Sequence, residues 1–320
     1  MKRHNTILVF SLTAAIAAAV LGIAILSSHQ MDKDYPTTDP VPSALPLNKV
    51  EREGILRFST QAISTDTFID RRSFESSWSR AKIVDVSSGV VAGVLNHHVL
   101  AADLMAGFFL SLKASAPQTR RFIVISPDHF FSGHGPISTL DRNYSTPDGL
   151  LRSDTAFVAE LVSSTSAALE DNAMFEREHG VGALAPFIQR EFPEAKIVGI
   201  ALQGTLDRGL ACDFGTRLAG LVDSHTVIIV SSDMSHYLPA KIALVNDETT
   251  IKELSSLDTQ FFMGVKDDHV DNGVGLVVLA SYLDALGIKP AFHLVGHGIS
   301  SDYVSDDKST TTYINGLWTR

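Results

Sequence analysis

The sequence predicts an α/β protein with a largely parallel mixed sheet flanked by helices, and three observations predict it. Apolar β-branched runs alternate with segments of helical periodicity from about Lys82 to the C-terminus. Those runs are apolar without interruption, the pattern of strands covered on both faces, as in a parallel sheet. Several of them end abruptly in Asp and His, at the place where an open α/β sheet carries its ligand crevice.

Taken in order, "VVAGVLN" reads as a strand and precedes a helical "VLAADLMAGFFLSLKAS", after which "RFIVIS" is the next strand. "KIVGIAL" then precedes the helical "LDRGLACDFGTRLAGLV", and "TVIIVSS" precedes an acidic helical segment near "NDETTIKELSSLD". "FEREHGVGALAPFIQREF" contains an amphipathic segment ending near Phe192. "NGVGLVVLASYLDALG" reads as a helix stopped by Gly287, and "PAFHLVGHG" and "TTTYINGLW" are strands that complete the sheet. No internal repeat is visible.

The 45% hydrophobic content is ample for a packed core, and the net charge of −10 lacks the basic stripe that nucleic acid requires. Lys2 and Arg3 precede an uncharged apolar run from about Ile7 to Leu26. That run matches the ~20 residues of a membrane-spanning helix and exceeds a secretory core of ~7–15. Residues 1–28 therefore read as a single-pass signal anchor, with the positive flank keeping the N-terminus cytoplasmic and the remainder extracytoplasmic. Secretion after signal cleavage is the rival reading, because Ser27 and Ser28 are small. Residues 29–50, with Pro36, Pro40, Pro42 and Pro46, read as an extended stalk, and 51–320 as a single α/β domain. Cys212 is the only cysteine, which excludes an intrachain disulfide and reads as a small buried hydrophobe.

Three strand ends are polar in the same way: "VVAGVLNHH" ends in His97 and His98, "RFIVISPDHF" in Asp128 and His129, and "TVIIVSSDMSH" in Asp233 and His236. Imidazole is the commonest ligand for several transition metals, and an adjacent carboxylate orients it. Such clusters point to metal chemistry or acid–base catalysis. Neighbours in an extended strand face opposite ways, so one of His97 and His98 is expected inside the site and the other in a structural role. Glu178 and His179 form a fourth pair, in which Glu178 favours a helix N-terminus.

With these segments assembled, the chain resembles the Memo family, the B component of the AmmeMemoRadiSam system. "NHHVLAADL", "ISPDHF", "YSTPDGLLRSD", "EHGVGALAPFIQ", "VSSDMSHY" and "LDTQFF" followed by "NGVGLVVLASYLDALG" match its motifs in order. The resemblance implies a fold like that of class III extradiol dioxygenases and a histidine-lined, metal-capable cleft. It implies His97 and His129 as metal ligands, with His179, Asp233 and His236 around the cleft as binding or proton-transfer groups and Tyr237 closing the packing beside it. Where the family commonly has Cys-Gly, this chain has Asn272-Gly273, so the third ligand becomes a weak, neutral amide. That disfavours copper(I), and a site completed by Asp233, His236 or a carboxylate such as Asp271 suits Fe(II), Zn(II) or Mn(II), with Fe(II) or Zn(II) foremost. Family context also implies AMMECR-type and radical-SAM partners, which an extracytoplasmic domain would be separated from.

Among the remaining histidines, His134 reads as a solvated loop residue, His225 as structural, His269 as close to the altered ligand position, and His293 and His297 as strand residues on one face. Ser132, Ser231 and Ser232 lie in no GxSxG elbow, which leaves serine-hydrolase chemistry without support. The leading expectation is a membrane-anchored, metal-dependent oxidoreductase acting on a small molecule, with His179 or His236 moving protons. A non-catalytic ligand- or partner-binding protein, favoured by Asn272, and a zinc-dependent hydrolase are the alternatives.

Overall fold

The computed structural model describes residues 61–170 and 172–320. The expected signal anchor and stalk lie outside those residues. No helix among the described residues is long and apolar enough to cross a membrane. All described residues fall in one compact unit, Arg57–Arg320.

The chain enters through β1 (Ile63–Ser64) and α1 (Arg71–Arg80), then forms β2 (Val90–Leu95), α2 (Ala102–Ser115) and β3 (Arg121–Pro127). A run of short pieces follows: β4 (Ile137–Leu140), the hairpin β5 (Tyr144–Thr146) and β6 (Gly149–Ser153), α3 (Thr155–Ser164) and β7 (Ala168–Leu169). Three small helices, α4 (Asn172–Phe175), α5 (His179–Gly182) and α6 (Ala185–Glu191), lead to β8 (Lys196–Leu202). Then come α7 (Arg208–Ala219), β9 (Thr226–Ser231), α8 (Ala240–Ser256), α9 (Thr259–Gly264), α10 (Gly273–Ala285), β10 (Ala291–Ile299) and β11 (Thr312–Thr319).

The strands form one mixed sheet in the order β1-β5-β6-β8-β3-β9-β2-β11-β10, with β4 pairing β8 and β7. Its centre, β8-β3-β9-β2, is wholly parallel, and β11 and β10 add antiparallel strands at one edge. The uninterrupted apolar runs follow from burial on both faces. Along β3, Phe122 and Val124 join a core with Phe109 of α2 and Phe187 of α6, whereas Ile123 and Ile125 join a second core with Phe214 of α7 and Val278 of α10. β9 divides the same way, Val227 and Ile229 to the first core and Ile228 and Val230 to the second. Successive side chains point to opposite faces, so an all-apolar strand supplies both cores at once.

The helix ends have local causes. Asp207 caps α7 by accepting from the backbone N–H of Gly209 and Leu210, as a short acidic side chain does at an N-cap. Gly287, just past α10, takes φ +66°, the left-handed conformation that ends a helix. The structure differs from the sequence expectation in the middle of the chain. The segment expected to be one amphipathic element is two short helices, and Ala183 to Ile188 are buried throughout. Pro186 lies in the first turn of α6, where its missing N–H is harmless, so the chain restarts a helix there rather than continuing one.

α7 and α10 pack closely because Gly215 has no side chain: a Cβ there would lie 2.3 Å from the Val278 carbonyl oxygen. Gly215→Ala is expected to destabilise the fold by about 1–3 kcal/mol through helix displacement, although helix propensity alone favours Ala by about 1 kcal/mol. A fall in the urea midpoint at unchanged slope checks this; a rise would show that α7 shifts freely.

Candidate metal centre

The carboxyl ends of β2, β3 and β9 meet on one side of the sheet. β2 stops at Leu95, and Asn96 is tied to β11: its N–H donates to Asn315 Oδ1 and the Asn315 amide donates back to Asn96 Oδ1. The chain then turns, and the N–H groups of His97 and His98 both donate to Asp233 Oδ1, at 3.0 and 3.3 Å. His97 is buried, with Nδ1 3.0 Å from Ser231 Oγ. That contact aims Nε2 at Asp271 Oδ2, 3.3 Å away, and at Asp233 Oδ2, 3.7 Å away.

At the end of β3, Asp128 accepts from the N–H groups of Ser132 and Gly133 and holds a turn, so it faces away from the metal-ligating groups. His129 is oriented by Glu178, whose carboxylate accepts from the His129 N–H at 3.0 Å and from its Nδ1–H at 2.7 Å. Glu178 also accepts from Gly180 N–H and Ser126 Oγ, and its side chain is only 1% exposed. Gly180 is required here, since a Cβ would lie 2.0 Å from Ser126 Oγ. His179 is thereby set against its partners: its ring stacks on His129 with centroids 4.0 Å apart and meets His97 edge-on at 4.9 Å.

Ligand atoms of His97, His129 and His179 all lie within 4.8 Å of one another, as do those of His97, Asp233 and Asp271. These two groups share His97 and can each hold a metal ion. Asp271 anchors one oxygen on the Ser232 hydroxyl at 2.8 Å, while Oδ2 is buried with no hydrogen-bond partner, 3.3 Å from His97 Nε2 and 3.8 Å from His129 Nε2. A buried carboxylate oxygen facing two imidazoles fits a cation between them. The cluster lines a cavity of about 570 Å³ that also includes His98, His236, Phe68 and Tyr237.

The charges are strongly coupled. Burial works against protonation of His129, but the carboxylates of Asp271 and Glu178 outweigh it and push its pKa up to about 10. Burial likewise opposes protonation of His97, and Asp233 and Asp271 override it to raise the pKa. His179 goes the other way: burial, then the positive His97 and His129, hold it down at about 4. Burial alone would raise Asp271, yet His97 and His129 hold its carboxyl well below the ordinary range.

Five of the residues expected in the site, His97, His129, His179, Asp233 and His236, line this cavity. Asn272 does not join them, which corrects its expected role as third ligand. Its Oδ1 accepts from Gly275 N–H and caps α10, while its Nδ2 donates to the carbonyls of Ile125 and Ser231, both at 2.9 Å. Every polar atom of that amide is used in holding α10 to the ends of β3 and β9. The preceding residue, Asp271, faces the histidines instead. His97 and His98 both border the cavity because the strand has already ended; His98 Nδ1 is engaged by the Tyr313 hydroxyl at 2.8 Å. Tyr237 lies beside His236, ring centroids 5.7 Å apart, but is 77% exposed at the cavity mouth, with φ +57°. Of the other histidines, His134 meets Glu170, His269 meets Thr250, His293 meets Thr319 and His297 meets Asp247, all away from the cluster. Glu178 was legible only as one half of the Glu-His pair; its orienting role depends on contact with a residue 49 positions away.

An α/β sheet whose parallel strand ends carry converging imidazoles and carboxylates defines a protein with a metal-capable centre. A family model described as Memo-like protein matches residues 96–317, more than half of the chain, and the chain belongs to that family. A MEMO1 family protein of Caldivirga maquilingensis is 27% identical over 187 residues, covering 57% of this chain and 66% of that one, just under two thirds of the relative. Another, from Pyrobaculum aerophilum, is 28% identical over 228 residues, covering 68% and 78%. A crystal structure of an uncharacterized protein from Escherichia coli K12 is similar with a TM-score of 0.46 and 12% identity, covering 71% of this chain and 99% of that one.

Three outcomes follow from the geometry and the charges around it. Asn272→Ala, which strands two carbonyls and an N–H, is expected to lower stability by about 2–4 kcal/mol while leaving metal content unchanged; loss of metal with stability intact would restore it as a ligand. A metal must also displace the proton that His129 holds at neutral pH. Zn(II) binding at pH 7 is therefore expected to release at least one proton, read from the dependence of calorimetric enthalpy on buffer. In the metal-free chain, the raised His129 pKa contributes stability that is complete below its ordinary value of 6.5 and is lost as pH rises through about 10.

Proposed function

We propose that this Memo-like protein is a metal-dependent enzyme acting on a small molecule at the His97–His129–His179 centre, with an oxidative, extradiol-dioxygenase-like reaction as the leading activity. The observation that carries the reading is the convergence of three imidazoles on one point beside the unpartnered Asp271 Oδ2. Neutral nitrogen donors with a carboxylate and no thiolate suit Fe(II) or Zn(II) and disfavour copper(I). His179, expected from the sequence as a proton carrier, is better suited to ligation, since its depressed pKa keeps it neutral at physiological pH.

When bound, the metal supplies Lewis acidity toward an oxygen of the substrate. The protein's own groups do the rest. Glu178 and Ser231 fix the outer nitrogens of His129 and His97, which keeps both rings aimed inward. Asp233 holds the backbone of both strand-end histidines, so it is a positioning group as much as a charge. His236 lines the cavity with a buried Nδ1 that has no protein partner, and it is the group placed to give or take a substrate proton. A reading as a non-catalytic binding protein draws on Asn272 and on the resemblance to a family described through interactions. Because Asn272 caps a helix and Asp271 faces the histidines, the substitution for cysteine leaves a charged donor at the centre.

Elemental analysis of the untagged full chain tests the proposal. Near-stoichiometric iron or zinc is expected, at least tenfold lower in His97→Ala, His129→Ala and His179→Ala, with His236→Ala keeping its metal and losing turnover. O₂ uptake separates the oxidative reading from zinc hydrolysis. Folded protein that stays metal-free after reconstitution with either ion would overturn the assignment.

A further inference from the structure

His98 has no part in the centre described above, yet it borders the same cavity and is held there more closely than an exposed side chain requires. Its N–H donates to Asp233 Oδ1, and its carbonyl accepts from Ala101 N–H and Asn96 Nδ2. Its ring Nδ1 lies 2.8 Å from the Tyr313 hydroxyl, with the two rings edge-on at a centroid separation of 5.8 Å. Tyr313 belongs to β11 and is fully buried, so the contact ties a surface imidazole to the core of the sheet.

The phenol fixes where His98 carries its proton. Among the described residues, His98 Nδ1 is the one hydrogen-bond partner of the Tyr313 hydroxyl. A buried O–H that donates to nothing forfeits the cost of its desolvation, so the phenol donates to Nδ1 and the ring proton sits on Nε2. Should the ring take a second proton, Nδ1–H would donate to the phenol oxygen and Nε2 would still carry hydrogen. His98 Nε2 is therefore a donor in both charge states, which suits it neither to ligate a metal nor to take a proton. At His129 the arrangement is the opposite: Glu178 accepts the Nδ1–H, which leaves Nε2 as the ligand nitrogen.

The rest of the wall limits what such a donor can meet. Phe68, Val99 and Ala183 are apolar, Asp233, Asp267 and Asp271 are acidic, and no lysine or arginine lines the cavity. Away from the metal, a carboxylate or phosphate would face acidic side chains with no cation to offset them. A carbonyl oxygen is uncharged and accepts without donating, so it matches an Nε2–H donor.

We infer that His98 is a specificity-determining residue whose Nε2–H positions the substrate, and that the substrate carries an uncharged carbonyl oxygen apart from the group that meets the metal. The placing of the substrate rests on the proposed metal centre; the donor at His98 does not. A site built to donate in this way discriminates against analogues that lack the acceptor.

Substituted benzohydroxamates test both parts, since the head chelates a metal and the substituent varies. The full chain, with and without Zn(II), is titrated calorimetrically with meta- and para-substituted ethyl-, acetyl- and carboxybenzohydroxamates, alongside His98→Phe and His98→Gln. At one of the two positions the acetyl probe is expected to bind about threefold to tenfold tighter than its ethyl partner, with the carboxyl probe weaker than the acetyl. That ratio is expected to fall to about one in His98→Phe and to be partly retained in His98→Gln, whose amide keeps a donor. In the metal-free chain, nitrogen NMR of isotope-labelled histidine is expected to show hydrogen on His98 Nε2. Zinc-dependent binding with no acetyl advantage, or with an advantage that survives in His98→Phe, would overturn the inference and leave the metal reading standing. Tightest binding of the carboxyl probe would overturn the uncharged acceptor, and hydrogen on Nδ1 alone would overturn the donor. Absence of zinc-dependent binding by every hydroxamate would overturn the metal reading and the placing of the substrate with it.

Discussion

The buried carboxylate of Glu178 is the contact on which the centre depends. It sits at the point where the chain arrives from α4 and begins α5, and it is satisfied by four donors: the His129 backbone N–H, the His129 Nδ1–H, the Gly180 N–H and the Ser126 hydroxyl. A carboxylate so placed is expensive to bury unless its partners are charged or numerous. Its partners are the strand end that carries one ligand and the helix start that carries the next. One interaction thus sets the tautomer of His129, the position of His179 and the docking of α5 against β3.

Asp233 does the corresponding work on the other side, holding the backbone of His97 and His98 at the end of β2. The two carboxylates make opposite uses of the same chemistry. Glu178 orients an imidazole directly, whereas Asp233 fixes a backbone and lets Ser231 orient the ring. Between them stands Asp271, whose second oxygen is buried without a hydrogen-bond partner and faces the imidazoles of His97 and His129. Its depressed pKa and the raised pKa values of His97 and His129 have one cause: charges of opposite sign packed where water is excluded.

The neighbouring residues Asp271 and Asn272 divide two tasks that are one peptide apart. Asn272 closes the backbone accounting where α10 starts against the sheet, and Asp271 presents charge to the site. Reading the chain alone, the altered position drew attention to Asn272, because that is where a thiolate ligand was expected. Which of two consecutive side chains enters a site depends on where the helix begins and how it is turned. That phase is set by contacts with Ile125 and Ser231, 147 and 41 residues away, and not by local propensity.

The order of the main elements β2, α2, β3, β8, α7, β9, α8, α10, β10 and β11, the two-sided burial of the central strands and the chemistry at their ends were present in the sequence, because periodicity and abrupt polarity are local properties, whereas α1, α3 and the short strands β4 to β7 were not read from it. His97, His129, Asp233 and His236 could be named for the same reason, and His179 as half of the Glu-His pair and through the family resemblance. Only the tertiary structure decided that β9 lies between β2 and β3, so that His97 meets Asp233 across 136 residues. It likewise assigned Glu178 its role, turned Asp271 inward in place of Asn272 and left Tyr237 largely exposed at the cavity mouth. Those are outcomes of long-range packing, where each side chain's direction is settled by elements the local sequence does not contain.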